Sequence, residues 1–286
     1  TNHSSHRGIV TADAVRFGGG MGNIVRGGVV SGLPRFLEGA RYAAQWAGAP
    51  WGIVSKSNGS NDYNDDINSR SLMTNWLAGG SCYLPDRKDG KKVPVELSLA
   101  IHSDAGVKAD GSYFGTLGIC TTQQGNSTLG DGISRKTSRL FAEQLVANAK
   151  KDIDRTFHVN WATRSVWDRN YSETRLPEVP SAILETLSHQ NFPDIRLGQD
   201  PNFKFTLARS IYKTILKFEA SMHGRQYTVQ PLAPDIFKIE YISPGKVRLQ
   251  WKATGDAGEP TAASTSYNVY MAIGAGGFDN GVNVRN

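Results

Sequence analysis

The chain has 286 residues, 39% hydrophobic and 9% aromatic, with two cysteines and a formal charge of +6. That is enough apolar material for one medium-sized packed domain with smaller pieces beside it, and no run approaches the ~18 apolar residues of a membrane span. The basic residues are dispersed apart from Arg87-Lys88 and Lys91-Lys92, so the surplus reads as solubility charge and gives no nucleic-acid footprint.

In chain order, residues 8–17 (Gly-Ile-Val-Thr-Ala-Asp-Ala-Val-Arg-Phe) read as a strand closed by Gly18-Gly19-Gly20. A lone strand cannot bury its face, so it reads as the last strand of a domain that begins upstream. A glycine-rich loop follows, then a helix from Leu33 to Trp46 opened by Pro34 and stopped by Gly48. Residues 51–55 read as a strand, 58–66 as a polar loop and 67–77 as a helix. A core strand is expected at 95–102 and another at 113–121. A long amphipathic helix is expected over 134–154, with Leu140, Phe141, Leu145, Val146 and Ala149 on one face. Residues 159–169 read as strand-like, 182–185 as the last core strand and 202–218 as a closing helix. Alternating strands and helices predict an α/β fold, a mostly parallel sheet flanked by helices. Past Gln230-Pro231-Leu232-Ala233-Pro234 the pattern turns all-β, with strands at 236–242, 246–252 and 266–271. Cys82 and Cys120 are too far apart for a CxxC clip. They either pair or remain buried thiols, and the apolar strand around Cys120 favours thiols.

The chemistry concentrates where two apolar runs end. Leu97-Ser-Leu-Ala-Ile-His102 delivers an imidazole into a small polar turn, and Ala182-Ile-Leu-Glu185 delivers a carboxylate. Ligands of open α/β sheets sit at such strand ends, and a buried carboxylate is costly without a partner or a task. An imidazole suits zinc, and a nearby Glu suits proton transfer.

Together with their flanks, these runs resemble a known family. Ser98-Leu-Ala-Ile-His-Ser-Asp-Ala is similar to the "SIHxNA" strand of the zinc-dependent N-acetylmuramoyl-L-alanine amidases, and Ile183-Leu-Glu-Thr-Leu-Ser-His-Gln-Asn-Phe to their "vlvEtgFlsN" strand. The stretch from Asn61 through Arg70 to Asn75 resembles the approach to the first of these. The resemblance covers about residues 50–220. It implies an amidase-like domain over 21–228, with His102 as a zinc ligand and Glu185 as catalytic acid/base. Residues 1–20 resemble the final strand of a golvesin-like β-sandwich, and 231–286 resemble the start of a fibronectin type III-like domain. An incomplete β-sandwich is thus expected at each end, as in a secreted multidomain subgroup labelled xanthan lyase-like. The family's "GHG" ligand has no counterpart in this sequence. Glu38 is the in-chain candidate for a second ligand, and the remaining ligands are expected upstream of residue 1; His3 and His6 do not fit.

The function implied is zinc-dependent cleavage of the muramoyl-L-alanine amide of peptidoglycan, outside the cell or in the periplasm. The implied partners are peptidoglycan or another cell-surface polysaccharide, and the chain's own upstream segment. One alternative is a polysaccharide lyase or carbohydrate-binding protein using Trp161, Trp167, Arg169 and Tyr171. Another is a catalytically silent adhesion or scaffold module. Asp62, Asp65 and Asp66 lack the spacing of a calcium loop, Gly18 to Gly22 lack a nucleotide-loop pattern, His189 reads as a hydrogen-bonded loop residue, and Asp104 reads as orienting its turn.

Overall fold

The computed structural model describes residues 39–123 and 127–285. These fall into two compact units that divide between Ile215 and Leu216. The first opens with α1 (Ala40–Trp46), α2 (Trp51–Val54) and α3 (Asp62–Ala78). α2 replaces the strand expected at 51–55. Extended Pro50 caps a single turn, and its Ile53 and Val54 are buried with Ala44 and Trp76. α3 begins inside the expected polar loop. The Asn61 side chain accepts from the Asn64 N–H at 2.9 Å, and Asp62 and Asp65 occupy the first turn, where the helix dipole favours carboxylates.

The sheet contains β1 (Ser98–Asp104), β2 (Leu117–Cys120), β3 (Trp167–Asp168) and β4 (Ser181–Ser188), in the order β1-β4-β2-β3. β1–β4 and β2–β3 pair in parallel, while β2–β4 is antiparallel. The fold is therefore the expected α/β class, with a mixed and mostly parallel sheet. β2 and β3 are shorter than the sequence suggests because neighbouring backbone is satisfied by side chains. The Phe114 and Gly115 N–H groups donate to Asp194, and the Trp161 N–H donates to Asp154.

Helices cover both faces. On one, α4 (Lys136–Phe157) passes so close that a Cβ on Gly118 would lie 3.0 Å from Val146 Cγ2 and 3.1 Å from the Ala142 carbonyl. Glycine permits this approach. The opposite face carries Ala100, Leu117, Ile119 and Ile183. β1 and β4 align Ala100 with Ile183, and then His102 with Glu185. By the two-residue alternation of strands, the same face changes from core to polar groups in one step. α5 (Ser172–Arg175), α6 (Phe192–Gly198) and α7 (Pro201–Met222) follow β3 and β4. From α7, Phe203 and Leu207 pack with Ala149, Ile153 and Trp161.

Both cysteines are free; Cys120 is buried and Cys82 is exposed, which corrects the expectation of two buried thiols. Burial pushes the Cys120 thiol up to about 11. The second unit holds two antiparallel hairpins, β5 (Asp235–Ser243) with β6 (Lys246–Lys252) and β7 (Ser266–Val269) with β8 (Val282–Arg285). Trp251 meets Tyr267 edge-on at 5.3 Å between ring centroids. The strand expected at 8–17 lies outside the described residues. No helix among the described residues is long and apolar enough to cross a membrane.

Candidate active site

His102 and Glu185 are direct register partners on adjacent parallel strands. Neither closes its strand as the sequence suggests, since β1 continues to Asp104 and β4 to Ser188. A register shift follows His102, and Thr186 Oγ1 donates to the His102 carbonyl at 2.8 Å. Glu185 is half-buried, and its Oε2 is buried without a hydrogen-bond partner. Burial raises the Glu185 carboxyl above the usual carboxylate range, and Asp104 adds to this, while His102 and Arg164 oppose it. A carboxyl so placed is a better proton acceptor near neutral pH than an ordinary one.

His102 is held by a group the sequence did not single out. Its Nε2 lies 3.1 Å from Glu173 Oε2 on α5. Glu173 Oε1 accepts from Arg70 Nη1 of α3 at 3.0 Å, and Arg70 Nη2 reaches Asp66 Oδ2 at 2.9 Å. The hydrogen bond to Glu173 raises the imidazole pKa, outweighing burial. Burial favours the neutral Glu173 carboxyl, but the hydrogen bonds from His102 and Arg70 prevail and hold its pKa low. No periodic pattern marks Glu173; it lies on a four-residue helix, and its partners are 71 and 103 positions away.

A catalytic zinc takes three protein ligands and a water. Here one imidazole and one carboxylate converge, and among the described residues no third His, Cys, Asp or Glu ligand atom completes a compact set around His102. Arg70 also occupies the other oxygen of that carboxylate. The described donor set therefore does not fit a zinc ion by itself. Glu38, His3, His6 and Gly18 to Gly22 lie outside the described residues.

The other candidate residues have defined tasks. Asp65 is buried and accepts from Ser55 and Ser57, Asp62 pairs with Arg41, and Asp66 accepts from the Arg41 N–H. They tie α1 and α2 to α3. Asp104 pairs with Arg164 at 2.8 Å and accepts from the Ala105 N–H. His189 Nδ1 meets Ser103 Oγ at 3.1 Å. Trp161, a candidate sugar-cleft residue, is instead wholly buried; its Nε1 donates to Thr116 Oγ1 at 2.8 Å, and its ring packs on Tyr113 and Phe203.

No protein-family model and no curated protein sequence matches the chain. Solved structures similar to it include the N-acetylmuramyl-L-alanine amidase Ami1 of Mycobacterium smegmatis, with a TM-score of 0.40 and 16% identity over 55% of this chain and 61% of that one. The CwlD amidase of Clostridioides difficile, solved in complex with the GerS lipoprotein, gives 0.40 and 17% over 56% and 64%. The catalytic domain of CwlV, an N-acetylmuramoyl-L-alanine amidase from Bacillus (Paenibacillus) polymyxa, gives 0.34 and 14% over 58% and 88%. The chain thus spans less than two thirds of the length of the first two.

Proposed function

We propose that this chain belongs to a secreted peptidoglycan hydrolase that cleaves the amide between the muramoyl lactyl group and L-alanine. The observation that carries this reading is the direct register of His102 against Glu185, with one Glu185 oxygen buried and unpartnered. Glu185 takes a proton from the attacking water and delivers it to the departing amine of alanine. Burial, with Asp104 adding to it, raises the proton affinity of this carboxyl. Glu173, held by Arg70, fixes the imidazole of His102 beside it. Zinc enters the proposal through His102, with further donors, including Glu38, outside the described residues.

The test is digestion of purified peptidoglycan and of a synthetic muramoyl peptide, reading the newly exposed alanine amine. Cleavage by the native chain and its loss in Glu185→Gln are expected. Equal cleavage by both, or release of unsaturated sugars in place of the amine, overturns the reading. Zinc per mole of chain, measured for native protein and His102→Ala, tests the metal separately: a fall on substitution is expected, and equal content removes His102 as a donor.

A further inference from the structure

Beside the strand ends lies a cleft of about 810 Å³ that none of the chemistry above uses. One wall comes from the loop after β1, through Lys108, Ser112 and Tyr113. The other comes from the segment after β4, through Phe192 and Arg196. These two segments follow the strands that carry His102 and Glu185, and Asn160 and Ala162, between α4 and β3, complete the lining.

The cleft is built in advance of any ligand. Asn191, buried, accepts from the Lys108 N–H at 3.0 Å and donates to the Ser112 carbonyl at 2.9 Å. Asp194, also buried, accepts from the N–H groups of Phe114, Gly115 and Ser188 and from the Asn191 amide. These bonds lock one wall to the other. The rings differ in exposure: Tyr113 is fixed against Trp161 at 4.9 Å, whereas Phe192 is 73% exposed at the rim. Exposed aromatics of this kind supply apolar contact area to a ligand. Lys108 and Arg196 line the cleft from different segments; Asp200 is the carboxylate on its lining, and its Oδ1 is engaged by the Asn202 N–H.

We propose that this cleft binds the peptide arm of the substrate, its free carboxylates meeting Lys108 and Arg196 and its aliphatic portions lying on Phe192 and Tyr113. This rests on the amidase reading, in which the peptide is the leaving group and departs along the segments that follow His102 and Glu185. Two cations on the lining, from separate segments, suit an acidic peptide better than a neutral glycan.

The experiment is calorimetric titration of the Glu185→Gln chain, which traps ligand without turnover. Two probes are used, a synthetic muramoyl peptide with free side-chain carboxylates and the same compound with them amidated. The free-acid probe should bind more tightly. Lys108→Gln with Arg196→Gln should weaken that probe about tenfold and leave the amidated probe unchanged. Both positions line an open cleft, and an unaltered circular dichroism spectrum and melting temperature check the fold. Equal loss for both probes, no loss for either, or no binding of either at millimolar concentration overturns the proposal. Charge-dependent binding without cleavage by the native chain retains the cleft and removes the amidase reading. Cleavage with charge-independent binding does the reverse.

Discussion

Two carboxylates nine positions apart, Glu185 and Asp194, have opposite surroundings. Asp194 is wholly buried and accepts four hydrogen bonds, three from backbone N–H groups and one from Asn191. Glu185 is half-buried with one oxygen unpartnered, and its neighbours include a second carboxylate. A buried acceptor with full partners stabilises a fold, whereas one left bare costs stability and is retained for chemistry. Asp194 thus holds the edge of the site, and Glu185 is the group that edge presents.

The largest effect expected is on turnover. Glu185→Gln should lower amide cleavage by about a hundred- to ten-thousand-fold, the range that positioned acid/base groups supply. The same variant should unfold at the same urea concentration as native protein or a higher one, because it removes a poorly compensated charge. Undiminished cleavage, or a large loss of stability, would erase the distinction from Asp194. Asp194→Ala should do the opposite. It leaves three backbone donors without their acceptor and should cost about 3 kcal/mol or more in urea unfolding. A cost below about 1 kcal/mol would mean that water replaces the carboxylate and that the clamp is not structural.

This contrast explains which parts of the site were legible from residues alone. β1 and β4 are apolar runs that lead into polar turns, and the change of polarity at their ends marks His102 and Glu185. Their direct register was not legible, because pairing between strands separated by about eighty residues follows from tertiary packing. The sequence marks α3 only from residue 67 onward. Its buried residues ahead of Trp76 are Asp65, Asn68, Ser69, Ser71 and Asn75, so no apolar period marks its first turns. The cap at Asn61 followed by Asp62 and Asp65 was the available signal. Glu173 gave none, since a single turn carries no period and its meaning comes from Arg70 and His102. Trp161 misled in the other direction, an aromatic beside polar residues that serves as core.

A smaller, pH-dependent effect should separate Glu173 from both carboxylates. Its contact with His102 raises the imidazole pKa, so the contribution of that histidine to stability is full below its ordinary value and is lost as pH rises through the raised one. The carboxyl of Glu173 is held low, so its share is present above the ordinary carboxylate value and is lost as pH falls through the lowered one. The pair is strongest between these two limits. In Glu173→Gln the His102 ring should titrate at lower pH by NMR, the more so because Arg70, which lowers it, then keeps only Asp66 as an acidic partner. An unchanged His102 titration would mean that the pair does not persist in solution.

The smallest effect expected is a shift in the acidic limb of the pH–rate profile, and it bears on Glu185 most directly. Arg164 opposes the rise in its pKa, and Arg164 also neutralises Asp104 at 2.8 Å. In Arg164→Ala both influences on Glu185 change in the same direction: a cation is lost and the Asp104 charge is left bare. Its proton is then held more tightly, so the acidic limb of kcat/KM should move to higher pH. Asp104→Asn removes the charge that raises Glu185 and should move the limb to lower pH. Opposite shifts from two partners of one ion pair are not produced by general loosening of the strand edge, which would depress the rate across the profile without reversing sign. If neither substitution moves the limb, the titrating group is not Glu185, and proton transfer belongs to another residue.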